Sequence, residues 1–254
     1  MVRGLDRFRE HFRDYEDNYV LIGGVACALA LDEAGLQFRA TADLDIVLCV
    51  EALNPDFVIK FWEFVQDGRY RNRQKNTGER QLYRFDKPES KTFPEMLELF
   101  SRIPDALAYE GAGHLTPIPM GEEASSLSAI LLDESYYEFI HAGKRDLNGL
   151  SVLDPEQLIP LKARAWLDLT ERKDQGGSVD SRDIKKHKND VFRLYRVVSP
   201  ETRVEIPGQV SRDMARFLSA MEPETMDLGA FGYRTETFEQ VLAGLRRIYR
   251  LEVT

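Results

Sequence analysis

The sequence predicts an α+β protein, with a sheet and flanking helices in the front half and a helical region behind them. Three observations support this class. Short apolar runs bounded by glycine or proline recur up to residue 150 and are typical of strands. Beyond residue 155 the apolar residues recur at helical spacing instead. The length of 254 residues is near the upper limit for one hydrophobic core, so we predict two domains, 1–150 and 151–254.

The front half alternates short strands with helices. An amphipathic pattern predicts an opening helix, and a strand, a glycine pair and a buried helix follow it. Asn54 and Pro55 precede a further helix, which Gly68 closes. The predicted helices are 5–17, 25–36 and 56–68, and the predicted strands are 19–22, 42–50, 80–86 and 95–102. Short strands and loops in no definite order are predicted over 113–140.

The back half is predicted to be helical almost throughout. Asp154 caps a long helix over 155–172 and Pro155 lies in its first turn, directly after a short apolar strand. Glycine and proline breakers separate the later helices. These helices are predicted over 183–198, 211–221 and 235–250.

Composition and charge exclude several classes of protein. A net charge of −9 excludes a surface that binds nucleic acid throughout. Two basic stretches with interleaved tyrosines, 69–84 and 182–196, are candidate RNA-binding patches or, equally, solvated charged surfaces. No apolar run suits a membrane span, and the charged N-terminus is not a secretory signal. We therefore expect Cys27 and Cys49 to be buried, reduced thiols in a cytoplasmic protein.

Three carboxylates on two predicted strands form the candidate metal site. Asp43 and Asp45 alternate with apolar residues, so they project from the same face of a strand. Glu98 lies inside a second apolar strand, where an unpaired charge is costly, whereas Glu95 follows a proline at the strand edge. Such oxygen ligands suit Mg²⁺ or Mn²⁺, and two ions can clamp a phosphoryl transfer. The alternative is that the aspartates end the strand in solvent, or that one of them caps a turn, and that Glu98 faces water at the rim.

A glycine pair forms the candidate phosphate site. Gly23 and Gly24 lie between a predicted strand and a predicted helix, so the amides of the helix N-terminus are open to an anion. A side chain at either position would hold phosphates further from the backbone. Because a tight turn requires glycine in any case, a purely structural role is the alternative.

Together these residues resemble the DNA polymerase β-type nucleotidyltransferase superfamily. The resemblance depends on the glycine pair, on the later carboxylate and on the pattern R-x-T-x-D-x-D at Arg39, Thr41, Asp43 and Asp45. The back half is similar to AbiEii-like abortive-infection nucleotidyltransferase toxins in two segments, LIPLKARAWLDLTERK and DIKKHKNDVFRL. The resemblance spans residues 19–197. It implies a polymerase-β-like sheet with flanking helices, followed by a helical domain.

The resemblance also implies a role for each site residue. Asp43 and Asp45 would bind the Mg²⁺-nucleotide, and Glu98 would bind a second ion and help to deprotonate the acceptor hydroxyl. Lys162 would hold the triphosphate, and Asp190 would position that lysine or the base and sugar. Further nucleotide contacts are implied at Gly23, Gly24, Arg39 and Thr41.

The chain departs from the family pattern in two places. Val25 stands where many relatives carry a hydroxyl that contacts phosphate, so more of the binding depends on the backbone here. The loop 175–183 separates the two back-half segments, which leaves Asp180 and Asp183 as rivals for the role of Asp190.

Lys162 stands out even without the resemblance. It shares the apolar stripe of a predicted helix with Leu158 and Trp166, a face that lysines usually avoid. The alternative is that its stem packs there while the ammonium group reaches water. On the next helix His187 also lies on the apolar stripe, where a hydrogen-bonded core histidine is favoured over a catalytic one. The histidines and cysteines show no zinc spacing.

The sequence therefore predicts an enzyme that transfers NMP from an NTP to an acceptor hydroxyl and releases pyrophosphate. The expected acceptor is an RNA end, with tRNA implied by the toxin subgroup, and a toxin would have a cognate antitoxin protein as its partner. No membrane partner is expected. Two alternatives stay open: a catalytically inactive protein that binds nucleotide or a partner, and a small-molecule nucleotidyltransferase of the antibiotic-modifying kind.

Overall fold

One mixed sheet runs through the front half of the chain. The computed structural model describes residues 2–49, 52–72, 81–101 and 133–251. The strands are β1 (Tyr19–Ile22), β2 (Asp43–Leu48), β3 (Arg71–Asn72), β4 (Gln81–Asp86), β5 (Met96–Ser101), β6 (Lys144–Asp146) and β7 (Ser151–Leu153). Within those residues the sheet has seven strands in the order β3-β4-β5-β2-β1-β7-β6. The four predicted strands of the front half are each present, with ends within two residues of the prediction.

Helices flank the sheet and make up the back half. They are α1 (Leu5–His11), α2 (Gly23–Glu33), α3 (Pro55–Asp67), α4 (Glu134–Ala142), α5 (Pro155–Asp174), α6 (Ser181–Tyr195), α7 (Gly208–Met221) and α8 (Phe238–Ile248). A sheet with flanking helices, followed by helices alone, is the α+β class that the sequence predicts, and it is confirmed.

The chain divides into two compact units. The first contains Met1–Leu132 and Lys144–Asp154, and the second contains Asp133–Gly143 and Pro155–Thr254. The strands all belong to the first unit, while α4 and the helices from α5 onward belong to the second. The predicted division between residues 150 and 151 stays a prediction.

The central strand β2 presents different chemistry on its two faces. Leu44, Ile46 and Leu48 lie in the hydrophobic core together with Leu97 and Leu99 of β5. Successive side chains of a strand point to opposite faces, so Asp43 and Asp45 project from the face opposite this core. The helix layer therefore covers the leucine face, and the acidic residues lie on the other side of the sheet.

Aromatic side chains of α1 and α3 form the helix layer on the leucine face. Rings of Phe8 and Phe12 lie 4.5 Å apart, and Phe12 also approaches Phe57 and Phe64 at 5.8 and 5.4 Å. Helix α3 starts as the sequence predicts, because the Asn54 side chain accepts a hydrogen bond from the Phe57 amide at 2.9 Å. These rings cover the apolar face of the sheet, opposite the acidic face.

The opening helix is shorter than predicted. The predicted helix 5–17 ends at His11, and a 3-10 helix over Glu16–Asn18 leads directly into β1. Asp14 lies between them with a φ of 75°, a left-handed conformation that an α-helix does not contain. The apolar residues keep their helical spacing beyond His11, but at Asp14 the backbone leaves the helix and leads to β1.

The prediction of short strands and loops over 113–140 is wrong for the last part of that range. Helix α4 starts after Asp133, whose side chain accepts a hydrogen bond from the Ser135 amide at 2.9 Å. Four bulky side chains of this helix are buried: Tyr136, Tyr137, Phe139 and Ile140. Residues 113–132 lie outside the described residues, so the rest of that prediction stays open.

A buried carboxylate links three helices of the second unit. Asp213 of α7 accepts hydrogen bonds from the Tyr136 hydroxyl of α4 and from Gln209, both at 3.0 Å. Arg164 of α5 approaches the same carboxylate at 3.4 Å. Burial, followed by the charge of Asp213, raises the pKa of Tyr136 far above its usual value, so this phenol stays a donor.

Candidate functional site

Side chains of opposite charge lie in one row across the sheet. Asp45 pairs with Glu98 on the parallel neighbour β5, and Glu98 pairs in turn with Arg84 on the antiparallel neighbour β4. On its other side Asp45 is opposite Ile22, the last residue of β1. Side chains of directly paired residues share a face and lie within reach of each other. Asp43 is two positions before Asp45 and so lies on the same face.

The burial of this row differs along its length. Glu98 is only 7% exposed, which contradicts the alternative of a rim residue facing water. Asp43 and Asp45 are half-buried, so the strand does not end in open solvent there. Carboxylates in such a position interact more strongly with cations than exposed ones do, because water screens them less.

The glycine pair forms the bend between β1 and α2, and the acidic face meets it there. Gly23 is the first residue of α2 and has a φ of 64°, a conformation that favours glycine. A Cβ atom on Gly23 would lie 1.8 Å from Asp45 Oδ2, and one on Gly24 would lie 2.8 Å from Thr41 Oγ1 and 3.5 Å from Arg39 Nη2. A side chain at Gly23 would therefore be strained and would displace Asp45, and one at Gly24 would displace the Thr41 hydroxyl.

The structure thus brings together five of the residues predicted to bind nucleotide or metal. Arg39, Thr41 and Asp45 contact the space beside Gly23 and Gly24. The guanidinium of Arg39 also lies over the Phe38 ring at 4.9 Å, which limits its freedom to rotate. A hydroxyl, a guanidinium and a carboxylate at a helix N-terminus supply both donors for phosphate oxygens and a ligand for a cation.

Glu98 is bonded to Arg84, a residue that sequence reasoning did not single out. The Arg84 Nε donates to Glu98 Oε1 at 2.6 Å, and Nη2 donates to the same oxygen. The only sequence signal for Arg84 was its place in the basic stretch 69–84. Arg84 lies between Tyr83 and Phe85 in one predicted strand, and Glu98 lies between two leucines in the next. A charged residue of opposite sign in each of two neighbouring strands is a signal that could have suggested the pair.

The fit of these residues to divalent cations is partial. In the described part of the chain no group of three or more His, Cys, Asp or Glu side chains is placed to hold a metal ion. Asp43 and Asp45 supply two hard oxygen donors, and Mg²⁺ is commonly held by one or two carboxylates together with substrate phosphates. These two residues fit one ion. The placement of Glu98, against Arg84, does not fit a second, and the three-carboxylate set stays a prediction.

The predicted lysine and aspartate of the back half form a buried ion pair within the second unit. Lys162 Nζ lies 3.6 Å from Asp190 Oδ2, and Arg193 Nη1 lies 3.2 Å from Asp190 Oδ1. Lys162 is 5% exposed and Asp190 is 0% exposed. This burial counts against the alternative in which the ammonium group reaches water. Asp190 thus contacts two cations from two helices, and its predicted roles stay predictions.

The rivals of Asp190 occupy other places on α6. Asp180 is the N-cap residue of this helix and accepts a hydrogen bond from the Arg182 amide at 2.9 Å. Hydrogen bonds from the Arg182 side chain hold the pKa of Asp180 below its usual range. Asp183 follows in the first turn of the helix. His187 is buried, in agreement with a place on the apolar stripe.

The basic stretches hold many of their charges in local pairs. In 69–84, Arg69 pairs with Glu89 at 2.8 Å, and residues 73–80 lie outside the described residues. In 182–196, Lys188 pairs with Glu224 at 2.9 Å. Paired cations contribute less to the binding of a polyanion, so these contacts favour the solvated-surface alternative. Binding of RNA stays a prediction.

In the ranges that the structure describes, none of the helices combines the length and the apolar character needed to cross a membrane.

Comparisons with known proteins give a likeness among solved structures. No protein-family model matches the chain, and no curated protein is significantly similar to it. Among solved structures, the chain is similar to an antigenic nucleotidyltransferase-like protein from Paracoccidioides brasiliensis, with 16% sequence identity and a TM-score of 0.45. The alignment covers 89% of this chain and 88% of that one.

Proposed function

We propose that the protein is a Mg²⁺-dependent nucleotidyltransferase that moves NMP from an NTP to an acceptor hydroxyl. The observation that carries the proposal is the convergence of Asp45, Thr41 and Arg39 on the bend at Gly23 and Gly24. An anion-binding turn directly beside a cation-binding carboxylate is what a nucleotide with its metal ion needs. A helix start or an aspartate pair alone would support no such function.

In this proposal most site residues bind the metal ion or the phosphates, and one accepts the proton of the acceptor hydroxyl. Asp43 and Asp45 would hold Mg²⁺, which supplies positive charge to the triphosphate when it is bound. The bend, Thr41 and Arg39 would hold phosphate oxygens and keep the α-phosphorus in line with the acceptor. The acceptor oxygen bonds to the α-phosphorus, the bond to pyrophosphate breaks, and the hydroxyl proton passes to a base, for which Glu98 is the predicted residue.

The finer assignment rests on the sequence. The resemblance to AbiEii-like toxins makes an RNA end, and a tRNA above all, the proposed acceptor, with a cognate antitoxin protein as a partner. Lys162 as a triphosphate ligand and Asp190 as its positioning residue belong to the same proposal. The Lys162–Asp190 pair supports it, because a lysine is kept at a buried position only where a partner or a ligand compensates its charge.

Label transfer tests the proposal. The purified protein is incubated with each of the four α-labelled NTPs and Mg²⁺, in the presence of total RNA, cell protein or a metabolite extract. We expect label in one of these acceptor pools with the wild type and none with the double variant Asp43→Ala/Asp45→Ala. Asp56→Ala, at an exposed position in the first turn of α3, is the matched control and should keep its activity. Absence of label from all pools with every NTP would contradict the proposal.

Two observations favour particular alternatives. The bond between Arg84 and Glu98 favours a protein that binds nucleotide without transferring it, since one predicted site carboxylate is already engaged. The pairing of Lys188 with Glu224 favours a small-molecule acceptor over RNA. Calorimetric titration with Mg²⁺ and each NTP, without label transfer, would select the first alternative. Label in the metabolite extract alone would select the second.

A further inference from the structure

The contact between Arg84 and Glu98 is fixed by the backbone. Six consecutive residues of β4 pair with β5, from Gln81 opposite Ser101 to Asp86 opposite Met96. Arg84 and Glu98 are directly opposite each other in the middle of this ladder. A change of register by one residue would turn the side chains of one strand to the other face of the sheet. The two side chains are therefore held together by the fold and not only by their own hydrogen bonds.

The geometry of the contact is that of a strong charge-assisted pair. Two nitrogens of the guanidinium, Nε and Nη2, donate to Glu98 Oε1. The Glu98 side chain is 10% exposed and that of Arg84 is 25% exposed, so water screens the pair only in part. By contrast, the side chains of the ion pair between Arg69 and Glu89 are 73% and 65% exposed. An ion pair as exposed as that one contributes little to the stability of the folded state.

Glu98 lies between a cation and a second carboxylate. Arg84 is its neighbour on β4 and Asp45 is its neighbour on β2, all in one row of the sheet. Two adjacent carboxylates repel each other and attract a cation into the space between them. Here the fold already supplies a positive charge to Glu98 from the opposite side. A divalent ion at Glu98 would lie close to that guanidinium, and the like charges would repel.

We infer that Arg84 is a positioning residue that keeps Glu98 out of the metal site, so that the chain binds a single divalent ion, through Asp43 and Asp45. This inference rests on the proposed function, because it concerns the metal ions of the same site. It changes the sequence prediction, in which Glu98 binds a second ion. In this arrangement Arg84 supplies the fixed charge beside Glu98 and engages one oxygen of its carboxylate, Oε1.

The stoichiometry of Mn²⁺ binding tests the inference without any need for activity. Free Mn²⁺ is measured by electron paramagnetic resonance while the ion is titrated into the full chain in the absence of nucleotide. We expect one Mn²⁺ per chain for the wild type, loss of that site in Asp45→Asn, and a stoichiometry of one in Glu98→Gln. In Arg84→Gln, Glu98 and Asp45 are no longer compensated by the guanidinium, and a second Mn²⁺ should bind.

Control variants separate this effect from general damage. Arg84→Lys keeps a positive charge opposite Glu98 and should keep a stoichiometry of one. The double variant Arg84→Gln/Glu98→Gln should lose the second Mn²⁺ again, because the carboxylate that holds it is gone. Arg69→Gln, which removes an exposed arginine of the same unit, should behave as the wild type does. Far-ultraviolet circular dichroism shows whether each variant is folded.

Several results would overturn the inference. The first is that the wild type binds two Mn²⁺ per chain and Glu98→Gln loses one of them. The second is that the wild type binds no Mn²⁺. The third is that Arg84→Gln is folded and still binds only one Mn²⁺. If Arg84→Gln does not fold, the wild type and Glu98→Gln still decide whether Glu98 holds a second ion. Failure of the proposed function is a different result: one Mn²⁺ bound as inferred, but no label transferred from any NTP.

Discussion

Substitution of Gly23 by alanine tests the bend at which the proposed site is built. The added Cβ atom would lie 1.8 Å from Asp45 Oδ2, whereas ordinary contacts between carbon and its neighbours are about 3.5 Å. The Asp45 carboxylate, or the start of α2, therefore has to move by roughly 1.5 Å. The φ of 64° adds a cost of about 1–2 kcal/mol for any residue with a side chain.

Gly35 provides a matched control for this substitution. It belongs to the same unit and has a φ of 69°, but a Cβ atom there would meet no other atom within 4 Å. Gly35→Ala should therefore lose only the backbone contribution, about 1–2 kcal/mol in the free energy of unfolding. Gly23→Ala should lose more than this, because it also displaces the Asp45 side chain.

The two variants should differ most in function. A displacement of about 1 Å in a site can reduce the rate by roughly 100-fold, so we expect a loss of this order in label transfer for Gly23→Ala and none for Gly35→Ala. Urea unfolding gives the two stabilities, and transfer of α-label gives the two rates. If the variants were equally stable and equally active, the close contact between Gly23 and Asp45 would have no functional meaning, and the reasoning would be refuted.

Three further predictions concern stability. Asp213→Asn removes the negative charge beside Arg164, so it should lower the free energy of unfolding in urea by about 2–4 kcal/mol. A change within experimental error would show that this buried network contributes nothing to stability. Lys162→Met removes one of the two cations beside Asp190, and Asp190→Asn removes the carboxylate beside the buried Lys162. Each should lower the free energy of unfolding by about 3–5 kcal/mol, while the double variant should lower it by clearly less than the sum. Strict additivity in that double-mutant cycle would contradict the ion pair. Burial lowers the pKa of His11 below its usual 6.5 in the folded state. Below pH 6.5 the folded state therefore binds fewer protons at this residue than the unfolded state does, so stability is lost as the pH falls. His11→Asn should therefore lose less stability than the wild type between pH 7 and pH 5, as measured by urea midpoints.

Much of the site's backbone could be predicted from the sequence because strands have a simple period. The alternation of Asp43 and Asp45 with leucine and isoleucine predicts that both acids share a face, and β2 places its apolar residues in the core as expected. The glycine pair after β1 predicts a bend, and Gly23 does begin α2. These are local patterns, which depend on neighbours in the sequence.

What the sequence could not predict depends on contacts between distant segments. The pairing of Arg84 with Glu98 requires knowledge of which strands are neighbours and in which register, and neither can be inferred from one strand alone. The aromatic residues of α4 also suit strands by propensity, so this segment alone does not predict the helix that its capping aspartate and its buried face form. The opening helix is shortened by the turn at Asp14, for which the apolar spacing gives no signal.

In the proposed reaction, the bond that breaks lies between the α- and β-phosphates of an NTP. The most direct measurement compares α-labelled with γ-labelled NTP under the same conditions, using wild-type protein, Mg²⁺ and the acceptor pool that becomes labelled. Nucleotidyl transfer predicts label in the acceptor from the α-position only, and release of the γ-label as pyrophosphate. Label that enters the acceptor from the γ-position, or a transfer that persists in Asp43→Ala/Asp45→Ala, would contradict the account.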